Sequence, residues 1–301
     1  MATVEIASAD DTRAGMGLIA TAALIWGTIG VAVSLLYQLA PVDPLGVGFL
    51  RLLISAPALL VVGRALVGPG FLRVRRADLG VIALMGVAFA AYQVCYFAAI
   101  PRLGVAAAVM INICSAPIMT ALLARIFLGE RLGRAALLAM AGAVVGTGLL
   151  VGGVPHAGDP ATLLTGAALA LGAGFCYSLV TLTGRAVAPR YHPLQPIALA
   201  FSLGALLLAP LALSGGLYLA YPPMGWAILL YLGLVPTAVG YVLYLRGLSN
   251  TPATVSTILV LLEPLGSTTL AVIFLGERLA PLGLAGAALL LASMGLLYAK
   301  S

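Results

Sequence analysis

The stretch IFLGERL occupies Ile126 to Leu132 and returns unchanged at Ile273 to Leu279, 147 positions further on. A repeat at a fixed offset is tested first in a new sequence, because it sets the architecture. The same offset carries Gly27 onto Gly174, Gly86 onto Gly233, Ala106 onto Ala253, Pro117 onto Pro264 and Gly148 onto Gly295. These coincidences cover most of each half. The chain therefore reads as a tail over residues 1–14, a first unit over 15–154 and a second over 155–301.

Composition names the solvent of those units. Hydrophobic residues make up 62% of the 301, charged residues 8%, and mean hydropathy is +1.16, where soluble domains carry roughly 45–50% apolar and about 25% charged residues. Such a chain cannot cover itself with polar surface, and it reads as an all-α integral membrane protein. A bilayer core about 30 Å thick needs roughly 20 apolar residues per helical crossing. Ten runs meet that need: Gly17 to Gln38, Leu45 to Val67, Leu79 to Ala99, Val105 to Leu128, Ala135 to Val151, Leu163 to Thr183, Pro196 to Leu213, Gly225 to Leu245, Ala253 to Phe274 and Leu282 to Tyr298. Continuous hydrophobicity without period-two alternation favours helices over barrel strands.

Each unit supplies five crossings, an odd number, so the second enters the membrane upside down relative to the first. The arginines agree. Arg13, Arg64, Arg73, Arg75, Arg76, Arg125, Arg131, Arg134, Arg185, Arg190, Arg246 and Lys300 fall on the side of the N-terminus, against Arg102 and Arg278 opposite. Cytoplasmic loops retain such residues, so both termini are expected in the cytoplasm. This bias accounts for most of the net charge of +6 without a nucleic-acid partner. Two inverted five-helix repeats are the architecture of many secondary transporters, in which the halves exchange conformations around a midplane site. The near-exclusive use of Arg and the short loops fit a bacterial inner membrane.

Other chemistries find little support. His156 and His192 both fall in loops, so no zinc cluster is expected, and a single mid-span acid supplies no aspartyl dyad. No phosphate-binding G-x-x-x-x-G-K-[ST] loop occurs, and no cofactor or metal is expected. Cys95, Cys114 and Cys176 all fall inside spans and read as packing residues. The first run is longer than a signal-peptide core and its leader carries Arg13 against Glu5, Asp10 and Asp11, so it reads as a span.

The order LIWGTIG (24–30), DPLGVGFLRLLISAP (43–57), AAIPRLGVAAAVMINICSAP (98–117), LEPLG (262–266) and the two LGERL copies resembles the ten-helix EamA-type members of the drug/metabolite transporter superfamily, most of all their bacterial aromatic amino acid exporters. The resemblance implies export of small metabolites, with neutral and aromatic amino acids prominent. It also implies a central cavity lined by helices 1, 3, 4, 6, 8 and 9, with helices 5 and 10 peripheral. Other metabolites or drugs, or a ligand sensor that moves nothing, are the alternatives.

Glu263 is the outstanding candidate, the acid placed deep inside an apolar run, where an ionisable group usually faces a cavity or a partner; it suits a proton or a substrate ammonium. Pro264 follows it, and its equivalent Pro117 follows Ser115 and Ala116. Each proline frees one helical carbonyl, that of Val260 or Ile113, and reads as a hinge. Tyr92 and Tyr96 share a helix face, with Gln93 adjacent and Asn112 and Ser115 on the next span. Trp26, Tyr177, Tyr241 and Tyr244 complete an aromatic wall suited to an amino acid side chain. Arg51, early in its span, reads as an anchor snorkelling to the outer surface, with attraction of a substrate carboxylate as the alternative. Glu130 and Glu277 read as helix-start caps. Gly142 to Gly146 reads as a tight packing face, and the protein as a monomer.

Overall fold

The computed structural model describes residues 9–128, 134–153, 159–251, 259–260 and 262–298. Glu130 and most of the first heptapeptide, His156 and Ala253 lie outside the described residues. The elements are α1 (Ala9–Leu39), α2 (Pro44–Val67), a 3-10 turn (Arg76–Asp78), α3 (Leu79–Leu103), α4 (Val105–Leu128), α5 (Arg134–Gly152), α6 (Pro160–Val187), α7 (Leu194–Ser214) and α8, followed by α9 (Leu262–Leu275) and α10 (Pro281–Tyr298). Helix α8 is one rod in three sections, α-helical over Pro223–Gly233, π-helical over Leu234–Val239 and α-helical over Gly240–Asn250.

Local chemistry explains the ends. Asp43 caps α2, its carboxylate accepting from the Gly46 N–H at 2.9 Å, and Pro44 fills the first turn, where no N–H is needed. Helix α1 starts at Ala9, eight residues before the apolar run, because the polar segment ahead of the run continues the helix beyond its hydrophobic length. The π-helical turn in α8 is absent from the sequence reading, and Pro236 is its chemical cause. The ring removes the donor owed to the Leu232 carbonyl, and the Thr237 hydroxyl donates to that carbonyl instead at 3.0 Å.

Among the described residues, seven helical segments are long and apolar enough to cross a bilayer, and three shorter apolar ones lie at Leu137–Gly152, Leu262–Leu275 and Pro281–Ser293. The molecule is polar at its centre and apolar outside. Val144, Val61, Leu206 and Ile273 stand 66–75% exposed on its flanks, while Arg51, Gln93, Asn112 and Ser115 are buried. Water would penalise that rim by about 25 cal/mol per Å², whereas lipid does not.

Packing runs between the halves. Helix α3 lies on α6 and α7, α8 on α1 and α2, α4 on α6, α9 on α1, α2 on α7 and α5 on α10. At the last of these interfaces a Cβ on Gly146 would meet the Gly286 carbonyl at 3.0 Å, so the small-residue face is used inside the molecule. The connections gather at two ends. At one, a Cβ on Gly46 would sit 3.3 Å from Leu217, the Glu277 carboxylate meets the start of α4, and the Ala280 N–H donates to the Gly153 carbonyl at 3.3 Å. At the other, Arg190 pairs with Asp78 and the Gln195 amide donates to the Arg73 carbonyl at 2.8 Å. That second end carries the exposed Arg64, Arg73, Arg75, Arg76, Arg185 and Arg190.

Candidate central cavity

Close backbone approaches place the central side chains. A Cβ on Gly27 of α1 would stand 3.0 Å from the Glu263 carbonyl oxygen and 3.1 Å from the Ser267 nitrogen, so a residue without a side chain lets α1 touch α9 beside Trp26 and Glu263. Gly174, its partner at the 147 offset, touches α4 in the same manner, 3.0 Å from the Asn112 carbonyl. Gly86 of α3 approaches the Ala200 carbonyl of α7 at 3.1 Å, and Gly233 of α8 faces Ile54 and the Arg51 carbonyl of α2. Each contact has its offset counterpart across the molecule.

These approaches enclose a cavity of about 40 Å³, room for roughly three waters. Its polar lining is Arg51, Gln93 and Glu263; its rings are Trp26, Tyr92, Tyr177 and Tyr241, with Phe89, Phe201, Ile29 and Ile113 between them. The four polar-tipped rings and Glu263 are half-buried although they sit in the middle of the bundle. The rings form two clusters: Tyr92 lies 5.8 Å from Tyr96 and 5.9 Å from Tyr177, and Trp26 lies 5.5 Å from Tyr241 and 5.2 Å from Tyr244, centroid to centroid.

The π-helical turn fixes Trp26. Because the Gly240 N–H reaches the carbonyls of Val235 and Thr237, the Pro236 carbonyl is released from the helix, and the Trp26 Nε1–H donates to it at 2.7 Å. A Cβ on Gly240 would come within 2.7 Å of that indole nitrogen, so glycine there makes room for it.

Of the residues singled out in the sequence, Trp26, Tyr92, Gln93, Tyr177, Tyr241 and Glu263 meet at the cavity. Tyr96, Tyr244 and Asn112 stand behind it; the Asn112 amide donates to the Tyr92 hydroxyl at 3.2 Å, and its own Oδ1 is buried without a partner. Ser115 donates to the Asn112 carbonyl at 3.2 Å and is buried at the α4–α6 contact. Pro117 is part-exposed within α4, and Pro264 is buried one residue after Glu263.

Two expectations are corrected. Arg51 does not snorkel: it is 5% exposed, its Nη1 donates to Gln93 Oε1 at 2.8 Å and its Nη2 to Thr237 Oγ1 at 3.4 Å, across α3 and α8. Neighbouring polar helices supply partners that its own sequence context does not reveal. Glu277 caps a helix start, but the start of α4 and not of its own α10. Sequence reading also missed Phe89, Phe201 and Thr237, so α2 and α7 join the cavity helices. The available signal for Arg51 was an arginine inside an apolar run with no acid on its own helix; Phe89 and Phe201 carry no signal that separates them from lipid-facing aromatics.

Fold and centre together define a multi-pass membrane protein with a polar, aromatic-lined interior. The chain belongs to the EamA-like transporter family, which it matches over residues 13–152 and again over 164–299. YwfM of Bacillus subtilis (strain 168), an uncharacterized transporter, is 33% identical over 276 residues, covering 92% of this chain and 90% of that protein. A probable terminal-alkyne amino-acid exporter of Streptantibioticus cattleyicolor is 31% identical over 259 residues, 85% of this chain and 84% of that protein. A solved crystal structure 20% identical in sequence superposes with a TM-score of 0.64 over 95% of this chain and 96% of that one, a likeness of fold. The chain is a membrane transporter of that family.

Proposed function

We propose that this protein exports amino acids, neutral or aromatic, or closely related small metabolites, by alternating access. Two inverted five-helix halves, residues 15–154 and 155–301, rock about the central cavity as a monomer in a bacterial inner membrane, with both termini in the cytoplasm. The observation that carries the reading is the half-buried aromatic cavity with Glu263 on its wall, enclosed between helices of both halves. The offset-related glycine contacts and the separate family matches of the two halves support the inverted repeat. Trp26, Tyr92, Gln93, Tyr96, Asn112, Ser115, Tyr177, Tyr241, Tyr244 and Glu263 form the substrate surface and its support, and Pro117 and Pro264 are the hinges.

Purified protein reconstituted in liposomes is expected to give saturable efflux of labelled neutral amino acids. Folded protein that moves none across a broad panel overturns the amino acid reading. Ligand binding without flux makes the protein a sensor instead.

A further inference from the structure

Arg51 and Glu263 line one cavity, and no salt bridge joins them; the guanidinium donates to Gln93 and Thr237 instead. We propose that these two residues are the poles of a clamp for a zwitterion, Arg51 receiving the α-carboxylate and Glu263 the α-ammonium of an amino acid. The proposal rests on the carrier reading and deepens it by naming the charge pattern of the substrate.

The partners of Arg51 are all neutral. Gln93 Oε1 and Thr237 Oγ1 hold the guanidinium from opposite sides, and its Nε is buried with no partner. Thr237 is locked as an acceptor, since its single hydroxyl hydrogen goes to the Leu232 carbonyl. Because Pro236 vacates that carbonyl, the π-helical turn builds the cradle that steers the guanidinium. Gly48, whose Cβ would stand 3.1 Å from the Gln93 Cβ, brings α2 and α3 close enough for the other half of the cradle. A cation held by neutral groups in a low-dielectric interior lacks a countercharge. The carboxyl group of Glu263 stands on the wall of the same cavity, with no hydrogen bond from Arg51.

A substrate with one fixed charge satisfies one pole and leaves the other uncompensated. A molecule with both charged groups on one carbon satisfies both and carries no net charge into the membrane. The rings of Trp26, Tyr92 and Tyr177 then face the side chain, and their π faces also favour an ammonium group. Guanidinium suits the carboxylate end because its fork matches two oxygens.

The test measures efflux of labelled L-phenylalanine, or of the best neutral amino acid in a panel, from proteoliposomes. The competitors are the unlabelled amino acid, its amide, which lacks the carboxylate, and its N-acetyl derivative, which lacks the ammonium. In the unmodified protein both derivatives are expected to compete at least about tenfold more weakly than the zwitterion, the scale of a lost charge-assisted hydrogen bond. Arg51→Gln is expected to erase the penalty on the amide alone, and Glu263→Gln the penalty on the N-acetyl derivative alone. Saturable flux with all three competitors equal in the unmodified protein overturns the clamp and leaves the carrier standing. That comparison needs no variant to fold. No saturable flux of any amino acid overturns the carrier reading and the clamp with it.

Discussion

The Glu277 carboxylate, in the turn after α9, accepts hydrogen bonds from the backbone N–H of Val105 at 2.6 Å and of Ala106 at 2.9 Å, so one half of the molecule caps a helix of the other. A helix N-terminus leaves its first N–H groups without partners and carries partial positive charge. Glu277→Ala is expected to cost about 1–2 kcal/mol, read as a lower melting temperature in detergent. Glu277→Gln, which keeps an acceptor, is expected to lose less; equal losses for the two variants would show that the neutral acceptor contributes nothing and that the charge carries the effect.

At the arginine-rich end Arg190 binds Asp78 through Nε at 3.1 Å and Nη2 at 2.9 Å, and the Tyr191 hydroxyl donates to the same carboxylate at 2.6 Å. Because Arg190 is 36% exposed, the pair is screened, and Arg190→Gln is expected to cost under about 1 kcal/mol. Asp78→Asn leaves both Arg190 and Tyr191 without their anion and is expected to cost more. Thermal melts of the two variants rank the effects.

Gly174 and Ser115 are predicted to couple. A methyl group on residue 174 meets the Ser115 hydroxyl, so Gly174→Ala alone is expected to destabilise by about 1–3 kcal/mol through overpacking. In the double variant with Ser115→Ala much of that cost is expected to vanish, because the obstructing oxygen is gone. Additive losses in a double-mutant cycle would place the strain on the Asn112 backbone instead.

Trp26→Phe removes the donor to the Pro236 carbonyl and is expected to cost about 1–3 kcal/mol. With Trp226 replaced by Phe, the indole of Trp26 is the remaining tryptophan reporter. Titration with a transported amino acid is expected to shift its emission, as the ring lines the cavity. Unaltered emission under saturating substrate argues that binding occurs elsewhere.

Orientation is open to labelling. In a variant lacking Cys95, Cys114 and Cys176, a cysteine at Asp43 is expected to react with impermeant maleimide from outside the cell, and one at Arg185 only after the membrane is opened. The reverse pattern overturns the placement of both termini in the cytoplasm.

Much of this was legible before any coordinates. Among the described residues the apolar runs located the helices to within about five residues, except where polar residues extended α1 to Ala9 and where Pro236 turned part of α8 into a π helix; the start of the ninth run, Ala253, lies outside the described residues. Periodicity put Tyr92 and Tyr96 on one face, and their rings do stack. Arg51 and Glu277 escape a local reading for a single reason: both are bonded to distant helices, Arg51 by Gln93 and Thr237, 42 and 186 positions away, and Glu277 by the N–H groups of Val105 and Ala106, 172 and 171 positions away. Ser115 is placed by the same kind of contact, behind the cavity at the α4–α6 interface, where it donates to the Asn112 carbonyl.

The sequence by itself determined the solvent, the helices and the duplication, because hydrophobic run length, charge placement and repeat offset are properties of the chain read in order. Only the tertiary structure decided which side chains meet in the middle. Burial and hydrogen bonding of a charged group depend on what other helices bring to it, and Arg51 is held by residues of α3 and α8 that no local pattern in α2 announces.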